Sequence, residues 1–281
     1  MSARRGAAGT ALAVVGLLIA LVIVAVVVVT HIPNHTPLPG EQRCVLTAAG
    51  NSAAVDTEQA RYASIIAGIS VRRGLAPRAA SIALATAYQE SKIRNLDHGD
   101  RDSVGLFQQR PSQGWGSRKQ LLNPYYATRA FYRALVKIPD WEHSDITEIA
   151  QKIQISGYPE AYRDHESDAR ILASVLTGQS PAGIACLIRD KTAGDPSGLV
   201  ASLKKTYKIE PKRSGSTITL SAGSKARAWS YAQYAVANAA DDGVLTVRVG
   251  GKQWTTNARS LADWKAADSK LGSLTVKITT R

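Results

Sequence analysis

Twenty consecutive residues, Ala11–Thr30 (ALAVVGLLIALVIVAVVVVT), carry no charged side chain. A helix rising about 1.5 Å per residue over that length covers roughly the 30 Å hydrocarbon core of a bilayer. The run exceeds the apolar core of a cleaved leader, about 7 to 15 residues, and passes into Thr30-His31-Ile32-Pro33 without a small-x-small cleavage site. It therefore reads as an uncleaved transmembrane anchor over 11–30. Arg4 and Arg5 precede it and no further Lys or Arg follows until Arg43. That asymmetry predicts a cytoplasmic tail at 1–10 and a single-pass membrane protein with the bulk of the chain extracytoplasmic.

Both cysteines, Cys44 and Cys186, fall on the outer side of this anchor. An even count in an exported chain is the pattern of a bridge, so a Cys44–Cys186 disulfide is expected. Between anchor and first cysteine, 31–43 holds three prolines and reads as a stiff spacer in which His31 and His35 are solvated, not metal ligands. Net charge is +13 and unevenly spread. Residues 44–186 carry 16 Lys/Arg against 14 Asp/Glu, a net +2, whereas 187–281 carry 16 against 7, a net +9. Outside the cytoplasm the polyanions available to such a patch are wall polymers and lipid headgroups, and no nucleic acid is expected as a partner.

Helical signals dominate 44–186. Asp56-Thr57-Glu58-Gln59 has the form of a capping box, and Tyr62, Ile65, Ile66 and Ile69 keep helical spacing as far as the stop at Gly74. Pro77 suits the first turn of a second helix on which Ile82, Ala83, Thr86, Ala87 and Glu90 share one face. Further helices are predicted from Asn123-Pro124, from Asp145 to Glu148, and from about Pro159 to Leu176, with one long loop at Arg94–Gln120. A connecting segment, 187–215, leads to 216–281. There, alternation at Thr217–Leu220, Val244–Val249 and Leu274–Ile278, with helical runs at Ala226–Ala240 and Leu261–Ala267, predicts a basic α/β domain of order β-α-β-β-α-β. Gly250-Gly251 has the form of a hairpin turn.

Chemistry concentrates in Ala87-Tyr88-Gln89-Glu90-Ser91 and Gly105-Leu106-Phe107-Gln108, with Glu90 and Gly105 fifteen residues apart. A carboxyl that protonates a glycosidic oxygen near neutral pH needs burial against apolar groups to raise its pKa. Glu90 has Ala83, Thr86 and Ala87 beside it, with Phe107 expected to cover it. Glu90-Ser91 followed at this spacing by Gly105-Leu106-Phe107-Gln108 resembles the Glu-Ser and Gly-Leu-Met-Gln motifs of the soluble lytic transglycosylases, members of the lysozyme-like superfamily. Gly99-Asp100-Arg101 resembles a loop of the goose-type lysozymes. The likeness spans about Thr57–His165. It implies that Glu90 acts as general acid and then general base on a muramic acid to glucosamine linkage, that Ser91 holds the carboxyl or the sugar, and that Gln108 and the Gly105 backbone line a saccharide groove. Asp100, or less directly Asp102, is the candidate second carboxylate. Without one, attack by the muramic 6-hydroxyl and 1,6-anhydro products are implied.

The family's later Tyr-Asn-Ala-Gly has its counterpart in Gln154-Ile155-Ser156-Gly157, which lacks the Tyr and the Asn; Tyr158 or Tyr162 is expected to supply the missing phenol. Arg110 is a candidate for a lactyl or peptide carboxylate and Trp115 for stacking on a pyranose. No cofactor and no metal site is expected. Asp97, His98, Asp100 and Asp102 do not match a Ca²⁺ loop. The expected fold is thus mainly α: a transmembrane helix, an α-helical lysozyme-like domain, then a small α/β C-terminal domain. Two functions follow from it. One is a membrane-anchored enzyme cleaving peptidoglycan glycan strands, with anionic wall polymers bound through the C-terminal domain. The other is a wall-binding or scaffolding protein that keeps the fold without turnover.

Overall fold

A computed structural model describes residues 41–154, 159–268 and 271–281; the predicted anchor at 11–30, most of the spacer, and Ser156 and Tyr158 lie outside the described residues. The chain enters through two six-residue strands, β1 (Arg43–Ala48) and β2 (Asn51–Asp56), paired antiparallel across Ala49-Gly50. Cys44, Leu46 and Ala48 alternate inward from β1. The N-cap carboxylate of Asp56 accepts from the Gln59 amide while the Gln59 side chain accepts from the Asp56 amide, completing the capping box that starts α1 (Thr57–Arg72). α2 (Pro77–Ser91) has Pro77 in its first turn and stops abruptly, because Lys92 (φ 58°) and Ile93 (φ 56°) are both left-handed.

The predicted long loop contains a 3₁₀ turn at Pro111–Gln113 and a one-turn helix, α3 (Arg118–Leu121), followed by α4 (Pro124–Leu135) and α5 (Ile146–Gln154). The single helix expected over Pro159–Leu176 is two elements, a 3₁₀ segment at Pro159–His165 and then α6 (Glu166–Leu176). β3 (Ile184–Leu187) returns beside β1, giving a three-stranded sheet of order β2-β1-β3 in which Cys44 lies directly opposite Cys186. The two are joined as a disulfide. α7 (Pro196–Tyr207), β4 (Lys212–Ser214), β5 (Thr217–Ser221), α8 (Lys225–Ala237), the one-turn α9 (Ala239–Asp242), β6 (Val244–Val249), β7 (Lys252–Thr255), β8 (Lys265–Ala266) and β9 (Thr275–Thr280) complete the chain. The second sheet, order β4-β5-β9-β6-β7-β8, is antiparallel with α8 packed on it.

The expectation of a mainly α fold is corrected by these two sheets: helix makes up 45% and strand 19% of the structure. Among the described residues no helix is long and apolar enough to cross a membrane. Nor is Leu261–Ala267 a helix. Trp254 Nε1 donates to Ala262 O at 2.8 Å and Trp264 Nε1 to Ile184 O at 3.0 Å, so this stretch serves two buried indoles and bridges to Cys186 at Ala262. A buried indole N–H requires an acceptor, and here backbone carbonyls supply it. The helical and sheet-rich halves share buried polar ties. Asn238 Nδ2 donates to Ser64 Oγ at 3.0 Å, Ser230 Oγ donates to Leu176 O at 2.7 Å, and Gln233 Oε1 accepts from Gly183 N at 2.7 Å.

Candidate active site around Glu90

Glu90 sits in the last turn of α2, half-buried beside Ala83, Thr86 and Ala87, which are fully buried. The Thr86 hydroxyl donates to Ile82 O at 2.8 Å, so its proton is committed to the helix backbone. Tyr162 Oη donates to Glu90 Oε1 at 2.6 Å, and Gln154 also hydrogen-bonds the carboxyl. Burial raises the Glu90 pKa above its ordinary value and outweighs the opposing effect of the two hydrogen bonds. Hydrogen bonds to a carboxylate favour its charged form, while loss of solvation disfavours it. No charged side chain among the described residues contributes to the shift.

The 3₁₀ segment delivers the phenol. Its tighter winding brings Tyr162 inward, fully buried, and ends at His165, which stacks on Tyr88 with ring centroids 5.2 Å apart and meets Gln89 Oε1 at 3.1 Å. These contacts pin the segment along the final turn of α2. Gln154 ends α5 and bridges in the other direction, its Nε2 donating to Phe107 O at 2.6 Å. The site is thus a short polar chain, from the Phe107 carbonyl through Gln154 and Glu90 to Tyr162.

The Gly105–Gln108 turn supports this chain from beneath. Gly105 has φ +79°, and a Cβ there would approach Leu121 O to 2.5 Å, so both backbone and space demand glycine. Ser91 is 3% exposed, and its hydroxyl lies 2.7 Å from Leu106 O and 3.1 Å from Ala87 O. It fastens the turn to the helix instead of facing a ligand. Leu106 is core, and the Phe107 ring is fully buried and stacked on Phe131 at 4.7 Å, leaving only its carbonyl for the site. Gln108 closes the preceding loop, accepting from Ser103 Oγ at 3.1 Å and donating to Gly105 O at 3.2 Å and His98 O at 3.3 Å.

The other proposed site residues are placed differently. The Asp100 carboxylate is 92% exposed and lies 4.0 Å from Arg101 Nε. Asp102 accepts from Arg110 Nε at 2.8 Å and from Ser112 N at 2.8 Å, contacts that hold its pKa well below the usual carboxylate range. Arg110 is therefore engaged within its own loop. Trp115 packs half-buried against the core, its carbonyl accepting from Tyr126 Oη at 3.2 Å. Neither Asp100 nor Asp102 perturbs Glu90.

No protein-family model matches this chain, and no curated protein matches it. The case for the site is therefore geometric.

Gln154 is the residue that sequence reasoning passed over as a ligand of the carboxyl. Its signal was its place at the head of Gln154-Ile155-Ser156-Gly157. Gln109 is a second omission: it is 2% exposed, yet neither amide atom has a hydrogen-bond partner among the described residues. Gln154 Oε1 is likewise buried without one. Buried amides are normally satisfied; of these two, only Gln154 is placed at the Glu90 carboxyl.

Proposed function

We propose that this protein cleaves the glycosidic bond between muramic acid and glucosamine in peptidoglycan, with Glu90 transferring the proton. The supporting observation is the carboxyl itself: half-buried, raised in pKa by loss of solvation, and oriented by Tyr162 and Gln154 without a neighbouring charge. Protonated Glu90 delivers its proton to the glycosidic oxygen as the C1–O bond breaks, and Tyr162 and Gln154 stabilise the carboxylate left behind. That carboxylate then accepts the proton of the muramic 6-hydroxyl as its oxygen bonds to C1. The products are a free glucosamine 4-hydroxyl and a 1,6-anhydro ring, with Glu90 reprotonated. The 92% exposure of Asp100 and the engagement of Asp102 with Arg110 favour this route over one that uses a second carboxylate. The disulfide suits a site of action outside the cytoplasm.

Glu90→Gln, which keeps the size and the hydrogen bond from Tyr162, is expected to abolish muropeptide release from purified sacculi while the protein still binds them. Undiminished release would refute the assignment. The second reading, a wall-binding protein without turnover, is favoured by the replacement of Tyr-Asn with Gln154-Ile155. It predicts that the unmodified protein also pulls down sacculi and yields no soluble product. Mass spectrometry separates the outcomes, because anhydro ends, reducing ends and no product differ.

A further inference from the structure

Uncompensated positive charge gathers on the helical half, although that half has the smaller net charge. Tyr125, Arg129 and Arg133 recur at every fourth position of α4 and so share one stripe. Arg72 and Arg73 close α1, and Arg72 Nη1 donates to Lys205 O at 3.3 Å near the end of α7. Lys205 Nζ lies 5.7 Å over the Tyr125 ring, and the Arg133 guanidinium 5.6 Å over Tyr126. Three helix ends and faces therefore place Arg72, Arg73, Arg129, Arg133 and Lys205 on one surface.

Several other cations have carboxylate partners, among them Arg61, Arg94, Arg110, Arg163, Arg170 and Lys204. None of these five has one among the described residues. Arg129 and Arg133 stand at a like-charge spacing that an isolated helix disfavours. Burial, followed by repulsion from Arg133 and Arg72, also lowers the pKa of Arg73, and Arg129 is lowered by burial and the same two neighbours. A surface held at that cost in repulsion is relieved by an anion.

We infer that this surface binds a phosphodiester-backboned polyol polymer of the cell wall, laid across α4 between the ends of α1 and α7. Four of the five cations are arginines, whose planar forks match phosphate oxygens in a way that a lysine point charge does not. A membrane face is disfavoured. The only large exposed hydrophobics among the described residues are Val136 and Leu274, too little apolar area to enter a bilayer. The choice of a wall polymer over nucleic acid rests on the reading that the disulfide-bonded chain works outside the cytoplasm.

The test uses the full-length protein in detergent micelles with labelled poly(glycerol phosphate). Arg129→Gln/Arg133→Gln is expected to weaken binding by at least about tenfold, and to flatten the slope of log affinity against log salt by about 1.4 to 1.8 between about 50 and 200 mM. Arg129→Lys/Arg133→Lys keeps the charge and should retain that slope while losing affinity, which separates a fork-specific contact from misfolding. Wild-type affinity and slope in the glutamine variant would overturn the inference. So would tighter binding of the unmodified protein to a single-stranded oligonucleotide, or to vesicles rich in phosphatidylglycerol, than to poly(glycerol phosphate). On sacculi stripped of phosphodiester polymer, the glutamine variant should release muropeptides at the unmodified rate. This holds the test apart from the Glu90 assignment, and a loss of release there would place the patch in the catalytic groove and overturn its role as a separate surface.

Discussion

Tyr162→Phe removes one hydroxyl from the Glu90 cluster and leaves the ring that fills the space. In the folded protein that hydroxyl donates to Glu90 Oε1 at 2.6 Å. Hydrogen bonds to a charged group contribute about 1.5 to 3 kcal/mol and those to a neutral one about 0.5 to 1.5, so the bond favours the carboxylate by roughly 1.4 kcal/mol. Its loss leaves burial less opposed and pushes the Glu90 pKa further up. The proton donor must be protonated, and turnover falls as pH rises through its pKa. The alkaline limb of the pH–rate profile should therefore move up by about one pH unit, since 1.36 kcal/mol corresponds to one unit. At the plateau the rate should drop about tenfold, because the carboxylate formed as the proton leaves has lost the same stabilisation. The assay is chromatographic quantitation of muropeptides released from sacculi across the pH range, in parallel with thermal unfolding. A variant whose alkaline limb stays fixed or moves down would show that the Tyr162 hydroxyl does not favour the Glu90 carboxylate, and the reasoning about Glu90 would fail with it.

Three further predictions concern stability. Burial, with Asp241 and Asp195 nearby, raises the Asp242 pKa to about 7 despite Arg61. Because the folded pKa lies above the unfolded one, the contribution of Asp242 to stability is fully present below about pH 4 and is lost as pH rises to about pH 7; Asp242→Asn should raise the melting temperature at pH 8 and leave it little changed at pH 4, and an equal change at both would contradict this. Gly105→Ala forces a Cβ to within 2.5 Å of Leu121 O at φ +79°, and should cost about 2 to 4 kcal/mol in denaturant unfolding and abolish turnover. Cys44→Ser opens a loop with a sequence separation of 142, an expected loss of about 5 kcal/mol in the chain-entropy model, reproduced by reduction of the unmodified protein.

Local rules served well where the physics is local. The capping box at Asp56, the proline at the start of α2, the Gly250-Gly251 hairpin and the helix from Asn123 all depend on residues within one turn of each other. β1 and β2 escaped because the alternating inward residues of β1, Cys44, Leu46 and Ala48, are weaker strand formers than the Val and Ile of the later strands. What fixes them is long-range, since β1 is paired on its far side by β3, 142 residues on at the disulfide. Leu261–Ala267 failed for a related reason: its apolar residues suggest a helix, but two tryptophan indoles take its surroundings' carbonyls across the fold.

The candidate site divides in the same way. Glu90 was visible because its apolar flank is written at helical offsets on one element, and the Gly105 turn because a positive φ has a residue signature. Tyr162 was one of two interchangeable phenols in the sequence. Choosing it depends on Pro159–His165 winding as a 3₁₀ segment, with three residues per turn in place of 3.6. Over several residues the two windings send a given side chain in quite different directions. An α-helix assumed from Pro159 onward therefore cannot say which ring faces the carboxyl. Arg110 shows the converse error. A charged residue near a cleft motif invites a role in binding, but the nearer Asp102, eight residues back, had first claim on it. Proximity in sequence to the Glu90 and Gly105 motifs says little about availability, which only each side chain's own partners decide.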